Sequence, residues 1–351
     1  VGVLNSQDII NEGIFRVEGT NTIVSFHYNY INTGTHENKG NLYLHKNITN
    51  NGTMTASDVI NGTTHFVSST QAQEIKGSNA VIFKNMEMFK LVTVSSPFSV
   101  VSVADGLELR VMNSLALTIG KLKLIGDAQL VQTHTGASQV SGNSKVFKDQ
   151  QAKVPTVYRY HYWSSPVTQT LGSATYKVGS VLNDGIDPTS ATSEPQPITW
   201  TTGLDGAPSS GVYLSTYIPI TLSNHWIYSN LNDPGDGTAW IQQKETGDIN
   251  IGQGFSMKST GTVPQNLTFS GTPNDGDITF NINPSPSSHL LGNPYPSALD
   301  ITDFINDNST SIDGTLYFWE HTGEDFGNEG HYQAGYQGGY SQRNLTMGIA
   351  A

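Results

Sequence analysis

The sequence predicts an all-β chain in two parts: a β-solenoid-like body over residues 1–150, with a meandering sandwich as the alternative, then an antiparallel β-sandwich over 151–351 with one short helix near 298–306. Three observations predict this. Apolar and polar residues alternate with period two through most apolar stretches. Asn-Gly corners recur through the first part. Only 13% of residues are charged, about half the usual quarter, while Gly, Asn, Ser and Thr are abundant.

In the first part, "IINEG", "YINTG", "NITNNG" and "VINGT" set Asn and Gly after an apolar residue, as turns between short strands require. Between them Leu42 and Leu44 alternate with Tyr43 and His45, and Leu107, Leu109 and Val111 with Glu108 and Arg110. Leu115 and Leu117 continue the pattern, as do Leu122 and Leu124 flanked by Lys121 and Lys123. Period-two alternation implies strands with one wet face. Short strands with Asn-Gly corners suit a solenoid, in which each coil covers the apolar face of the next. The irregular repeat length keeps the sandwich open.

The boundary falls in "KDQQAKVPT", a polar segment ending in Pro155. Every Trp, and every Pro except Pro97, lies beyond residue 150. Up to that residue 11 basic and 11 acidic side chains balance; after it 6 basic face 18 acidic ones, so the net charge of −12 belongs to the second part.

In the second part "VYRYHYWSSPV" alternates Tyr158, Tyr160 and Tyr162 with Arg159, His161 and Trp163 before Pro166 ends the strand. "GVYLSTYIPITL", "GFSMKSTG" and "GTLYFWEH" read as further strands. "PNDG", Pro273 to Gly276, reads as a tight hairpin turn between Phe269 and Phe280. In "HLLGNPYPSALDITDF", Leu290 and Leu291 end a buried strand and Gly292-Asn293 turns the chain. Pro294 and Pro296 then hold Tyr295 extended across the core edge with its hydroxyl in water. Ser297 caps the helix, with Asp300 completing a capping box. The prolines are a rigid corner with no chemical duty.

Several function classes lose support. A chain of charge −12 without basic clusters lacks the footprint of a nucleic-acid binder. With no cysteine there is no disulfide, thiolate nucleophile or Cys-based metal site. No apolar run approaches the ~20 residues of a membrane span. The opening "VGVLNSQDII" carries neither an initiator Met nor a signal peptide, as expected of a mature product or a fragment.

The motifs "SSPV", "IGQGFSM", "TFSGTPNDGDIT", "LLGNPYPSALD", "LYFWEH" and "NLTMGIAA" occur in that order between Ser164 and Ala351. This set resembles the module found near the C-terminal end of large proteins exported by the type IX secretion system of Bacteroidota, the group that includes gliding-motility adhesins. The first part resembles the repetitive β segments placed upstream in such proteins. The resemblance implies export across the outer membrane, display at the cell surface or release from it, and contact with the outer-membrane secretion machinery. In that family a short C-terminal sorting domain usually follows; the sequence stops at "GIAA", in mid-strand, so a sorting domain and a direct sorting role are not expected within these residues.

No G-x-S-x-G, H-E-x-x-H or Gly-rich phosphate loop is present. The eleven acidic residues of the first part are scattered singly, so the carboxylate pair of a glycosidase is not expected, and the chain reads as non-catalytic. The densest polar cluster is Glu320, His321, Glu324, Asp325, Glu329 and His331, a candidate divalent-cation site whose oxygens suit Ca²⁺ and whose imidazoles suit a transition metal; a solvated loop is the competing reading. The acidic turns Asn183–Asp187, Asn232–Gly237 and Asn274–Asp277 complete no EF-hand loop and read as turns, with Ca²⁺ as the alternative. Trp200, Trp226, Trp240, Tyr332 and Tyr336 are candidates for stacking on sugars, against the alternative of core aromatics. The expected role is adhesion or surface presentation, with surface glycans or other adhesin chains as partners. A secreted polysaccharide-degrading enzyme, or its carbohydrate-binding accessory module, is the rival.

Overall fold

A computed structural model describes residues 7–56, 61–90, 99–152, 157–187, 189–212, 215–261, 265–279, 281–283, 287–321, 330–331 and 338–350. The first part is a three-faced, parallel β-solenoid. Its first face stacks Ile9–Asn11, Tyr30–Asn32, Ile48–Asn50, Gln73–Gly77, Val100–Val103, Lys121–Leu124 and Val146–Ala152. The second face carries Ile14–Val17, Thr35–Asn38 and Thr53–Thr55, then Val81–Phe83, Glu108–Val111 and Gln129–Gln132. The third runs from Ile23–Phe26 through Asn41–Leu44, Thr63–Phe66, Asn85–Phe89 and Leu115–Ile119 to Val140–Ser141.

The alternating pattern is what closes the coils. Leu42, Leu44, Leu109, Val111, Leu115, Leu117, Leu122 and Leu124 all point inward and are fully or almost fully buried in one continuous core. Each is worth roughly 1.5–3 kcal/mol of hydrophobic stabilisation. Coil length varies because loops of different size leave the corners. Tyr30 stacks on Ile48, 18 residues on, whereas Glu74 stacks on Ser102, 28 residues on.

The Asn-Gly motifs have a specific use. Asn11 Nδ2 donates to Asn32 Oδ1 at 2.7 Å, and Asn32 Nδ2 to Asn50 Oδ1 at 2.8 Å, forming an amide ladder up one corner. Asn32 and Asn50 are fully buried, and the ladder satisfies them. Beside it the glycines stack so closely that a Cβ on Gly34 would lie 2.1 Å from the Gly13 carbonyl oxygen, and one on Gly52 2.2 Å from that of Gly34. "VINGT" serves another corner: Gly62, at φ 126°, abuts the Asn38 carbonyl ahead of the third face.

The expectation of one wet face fails at Lys121 and Lys123, which point outward but are buried. Residues from the second part cover them: Lys123 Nζ donates to Ser193 O at 3.1 Å and to its Oγ at 2.9 Å, and Lys121 pairs with Glu194.

The second part is an antiparallel sandwich joined to the solenoid through a shared sheet. Gln265–Pro273 runs antiparallel along the whole of Val146–Ala152 and also pairs with Leu182–Asp184 and Val167–Thr168. Val146 therefore belongs to the solenoid core while Ala152, on the same strand, belongs to the sandwich core. The opposing sheet is Tyr160–Trp163, Phe255–Lys258, Tyr228–Asn230 and Trp240–Gln242, in that order. Phe255, Met257, Leu267, Phe269 and Tyr176 fill the space between, with Trp163 packed against them. A third antiparallel sheet joins Leu316–His321, Gly338–Arg343 and Gly348–Ile349. No helix among the described residues is long and apolar enough to cross a membrane.

Four local expectations are corrected. Pro273–Gly276 makes no hairpin: Asn274 N donates to Pro166 O at 3.0 Å and Asp277 N to Gly136 O at 2.8 Å, so the chain leaves the sheet and binds the last solenoid coil. Phe280 lies outside the described residues. Leu290 and Leu291 are half-buried and contribute one isolated bridge, to Gln253, and no strand. The Tyr295 hydroxyl meets protein, donating to Gly276 O at 2.8 Å. The helix is Ile301–Asp307, capped by Asp300, whose Oδ1 accepts from Thr302 N at 2.8 Å and Asp303 N at 3.2 Å. Ser297 is no cap, because Asn293 Nδ2 holds its carbonyl at 2.6 Å and Gln129 Oε1 holds Ala298 N at 2.9 Å. Ala298 is thus tied to the solenoid, and the helix starts only after Asp300.

Candidate functional site

The opposing sheet of the sandwich turns its outer surface away from the core, and tyrosines from alternate positions stand on it. Tyr162 pairs with Ser256, and Ser256 in turn with Tyr228, so the two rings flank a small residue across three strands. That gap is the floor of a groove of about 380 Å³ lined by Tyr160, Tyr162, Tyr228, Trp240, Ser256, Trp319 and Tyr340. Trp240 lies near-parallel to Tyr162, ring centres 6.1 Å apart at 25°. The third sheet supplies the other wall, where Trp319 meets Tyr340 edge-on at 5.1 Å and 71°. Tyr162, Trp240 and Tyr340 remain exposed. No carboxylate lines the groove among the described residues.

Exposed aromatic faces with a few hydroxyls suit a flat, neutral, polyhydroxylated ligand: ring faces cover the apolar C–H surface of a sugar while hydroxyls orient it.

Beside the groove sits a cation-π stack. Lys258 Nζ lies 3.7 Å from the Trp226 ring centre and 4.5 Å from that of Tyr160. His331 stacks on Trp226 at 5.0 Å and 17°, and its Nε2 bonds Asp205 Oδ1 at 2.8 Å. Burial pushes the Lys258 ammonium down to about 8, opposed by Asp205.

Of the three sugar-stacking candidates among the described residues, Trp240 lines the groove and Trp226 and Trp200 do not. Trp226 is buried, its indole N–H donates to Leu204 O at 2.7 Å, and Lys258 and His331 pack against its ring. Trp200 packs half-buried against the sandwich core. Tyr332 and Tyr336 lie outside the described residues, as do Glu324, Asp325 and Glu329 of the candidate cation site. Of the rest of that site, Glu320 is exposed on its strand and His321 has both nitrogens engaged: Nε2 with Tyr160 O at 2.7 Å, and Nδ1 with the Trp319 indole N–H at 3.3 Å. Among the described residues no three of His, Cys, Asp and Glu gather as a metal-binding group. The acidic turns spend their carboxylates on protein donors: Asp184 accepts from Ile186 N, Tyr217 Oη and Ile220 N, Asp233 from Gly235 N, and Asp275 from Ser138 Oγ and Gln139 N.

Sequence reasoning missed Tyr160, Tyr162, Tyr228, Trp319 and Tyr340 as groove residues. The same-side alternation of Tyr158, Tyr160 and Tyr162 was the available signal for two of them. Trp163 is inside the sandwich, 6.3 Å from Phe269, whereas Trp319 in the equivalent strand context is on the groove wall.

No curated protein and no solved structure matches the chain. Residues 199–348 match a family described as a domain of unknown function, DUF8693. The match includes Tyr228, Trp240, Ser256, Trp319 and Tyr340 of the groove; Tyr160 and Tyr162 come from the strand that precedes it.

Proposed function

We propose that this chain is a non-catalytic, extracellular segment of a type IX secreted surface protein, in which a rigid solenoid presents a sandwich whose aromatic groove binds glycans. The observation that carries the glycan part is the groove itself, with Trp240 and Tyr162 near-parallel at its mouth and no carboxylate among its described lining residues. Support for export and surface display comes from the ordered motifs between Ser164 and Ala351 and from the cysteine-free, acidic, β-rich composition. The secretion machinery of the outer membrane is then a transient partner.

A carbohydrate-binding accessory module of a polysaccharide-degrading enzyme would use the same groove. A glycan array with a reducing-sugar assay on the purified chain tests both. Binding without turnover is expected of the adhesive segment and of the accessory module alike; turnover that one acidic substitution abolishes refutes both; absence of binding removes the groove's role. Export is tested by expressing the protein in a Bacteroidota strain with and without its outer-membrane translocon, surface display in both being the contrary result.

A further inference from the structure

The two ends of the solenoid differ. At the C-terminal end Gln265–Pro273 pairs with the whole last strand of the first face, Pro296 O accepts from Leu130 N at 2.9 Å, and Asp275 binds Ser138 and Gln139. At the N-terminal end the first coil has no covering strand among the described residues, and its inward Ile9, Phe15 and Val24 are only partly buried, whereas Tyr30, His36 and Leu42, which stack on them in the next coil, are buried. Open strand edges of this kind are templates for further pairing, and solenoids need their end coils covered.

Two details show what covering the first coil is built for. Gly34 and Gly52 are glycine because the preceding coil's glycine carbonyl leaves no room for a Cβ; Gly13 occupies the same corner, at an ordinary backbone angle, with nothing within 4 Å. Its need for glycine is met only by another coil above it. Likewise Gly34 N donates to Asn11 O of the coil before, whereas Gly13 N folds back onto its own Asn11 Oδ1 at 3.2 Å. That oxygen is the acceptor that Asn32 and Asn50 offer to the preceding Asn amide.

We propose that the N-terminal end of the solenoid is an interaction surface for one further parallel β-coil carrying an Asn-x-Gly corner in register with Asn11 and Gly13. The ladder has polarity, each Asn donating toward the C-terminal coil, so two copies meeting by their N-terminal ends would set acceptor against acceptor. Head-to-tail stacking of copies is blocked because the C-terminal end is covered. The occupant is a coil running in the same direction.

The test inserts a second copy of residues 9–29 between Asp8 and Ile9 of the full chain, with its outward Ile10, Ile14 and Ile23 replaced by Thr so that its peptides differ in mass. Hydrogen exchange of the original Ile9–Asn11, Ile14–Val17 and Ile23–Phe26 is then expected to slow by at least about tenfold. Gly13→Ala should leave exchange unchanged in the natural chain and cancel the gain in the extended one. Unchanged protection of Val146–Ala152 shows that the remaining fold is kept. No slowing on insertion, or Gly13→Ala tolerated equally in both chains, overturns the proposal. So does a tenfold rise in first-coil exchange on deleting Val1–Ser6, or concentration-dependent dimerisation that protects the first coil.

Discussion

Leu130, on the last strand of the solenoid's second face, donates its backbone N–H to the carbonyl of Pro296 at 2.9 Å. The Gly-Asn-Pro-Tyr-Pro segment is thus a cap on the solenoid edge. Proline lacks an N–H of its own, so at this position it offers an acceptor without adding a donor that would need a partner. Asn274 Nδ2 secures the segment at the Pro294 carbonyl, 2.9 Å away, and Asn293 Oδ1 holds Tyr295 N at 3.0 Å.

Tyr295→Phe removes the bond to Gly276 O while keeping the ring, and is expected to cost about 1 kcal/mol in urea unfolding. Burial raises the Tyr295 hydroxyl above its usual 10.0. The folded state therefore holds this proton longer than the unfolded chain, and its contribution, fully present below pH 10, falls as pH rises further. The phenylalanine variant lacks that alkaline decline; an unchanged decline counts against the cap.

Gly52→Ala forces a methyl group to within 2.2 Å of the Gly34 carbonyl oxygen, backbone against backbone. A loss of about 2 kcal/mol or more is expected, because stacked coils have no room to separate locally. Thermal unfolding of Gly52→Ala beside Gly13→Ala measures this with a control for the loss of glycine itself: Gly13 occupies the same corner at an ordinary backbone angle with nothing within 4 Å of its added Cβ.

Lys90 is fully buried, with Nζ donating to Gln71 O and Gln73 Oε1, both at 2.9 Å. Burial pushes it from 10.5 down to about 7. Between these values the unfolded chain binds more protons, so stability from this group rises with pH across that window, and the penalty is complete below about 7. Relative to Lys90→Met, the natural chain should gain on the order of 1–3 kcal/mol from pH 7 to 10. Urea midpoints that stay parallel would show that Lys90 keeps its charge.

The solenoid was legible because its inward row is local: Leu42 and Leu44, or Leu122 and Leu124, alternate within four residues and need no distant partner to be recognised. The Asn-Gly corners were legible as turns, though their ladder was not, since Asn11, Asn32 and Asn50 are unequally spaced. Long-range covering escaped the reading. Lys121 and Lys123 look solvated until Ser193 and Glu194 arrive some 70 residues later. The helix cap moved from Ser297 to Asp300 for the same reason, through Gln129 of the solenoid. The groove draws its aromatics from five strands, and local pattern separates groove from core only within one of them, where Tyr160 and Tyr162 face out and Trp163 faces in.

The most direct test of the account is a calorimetric titration of the best array glycan into the natural chain, Trp240→Ala and Trp226→Phe. Loss of one stacking ring is expected to weaken binding by roughly 1–2 kcal/mol in Trp240→Ala, about five- to thirtyfold. Trp226→Phe should bind normally while unfolding more readily, since its ring is packed beneath Lys258 and His331. Equal affinity in the natural chain and Trp240→Ala, with binding lost in a Trp226→Phe protein that remains folded, would contradict the aromatic groove as the binding site.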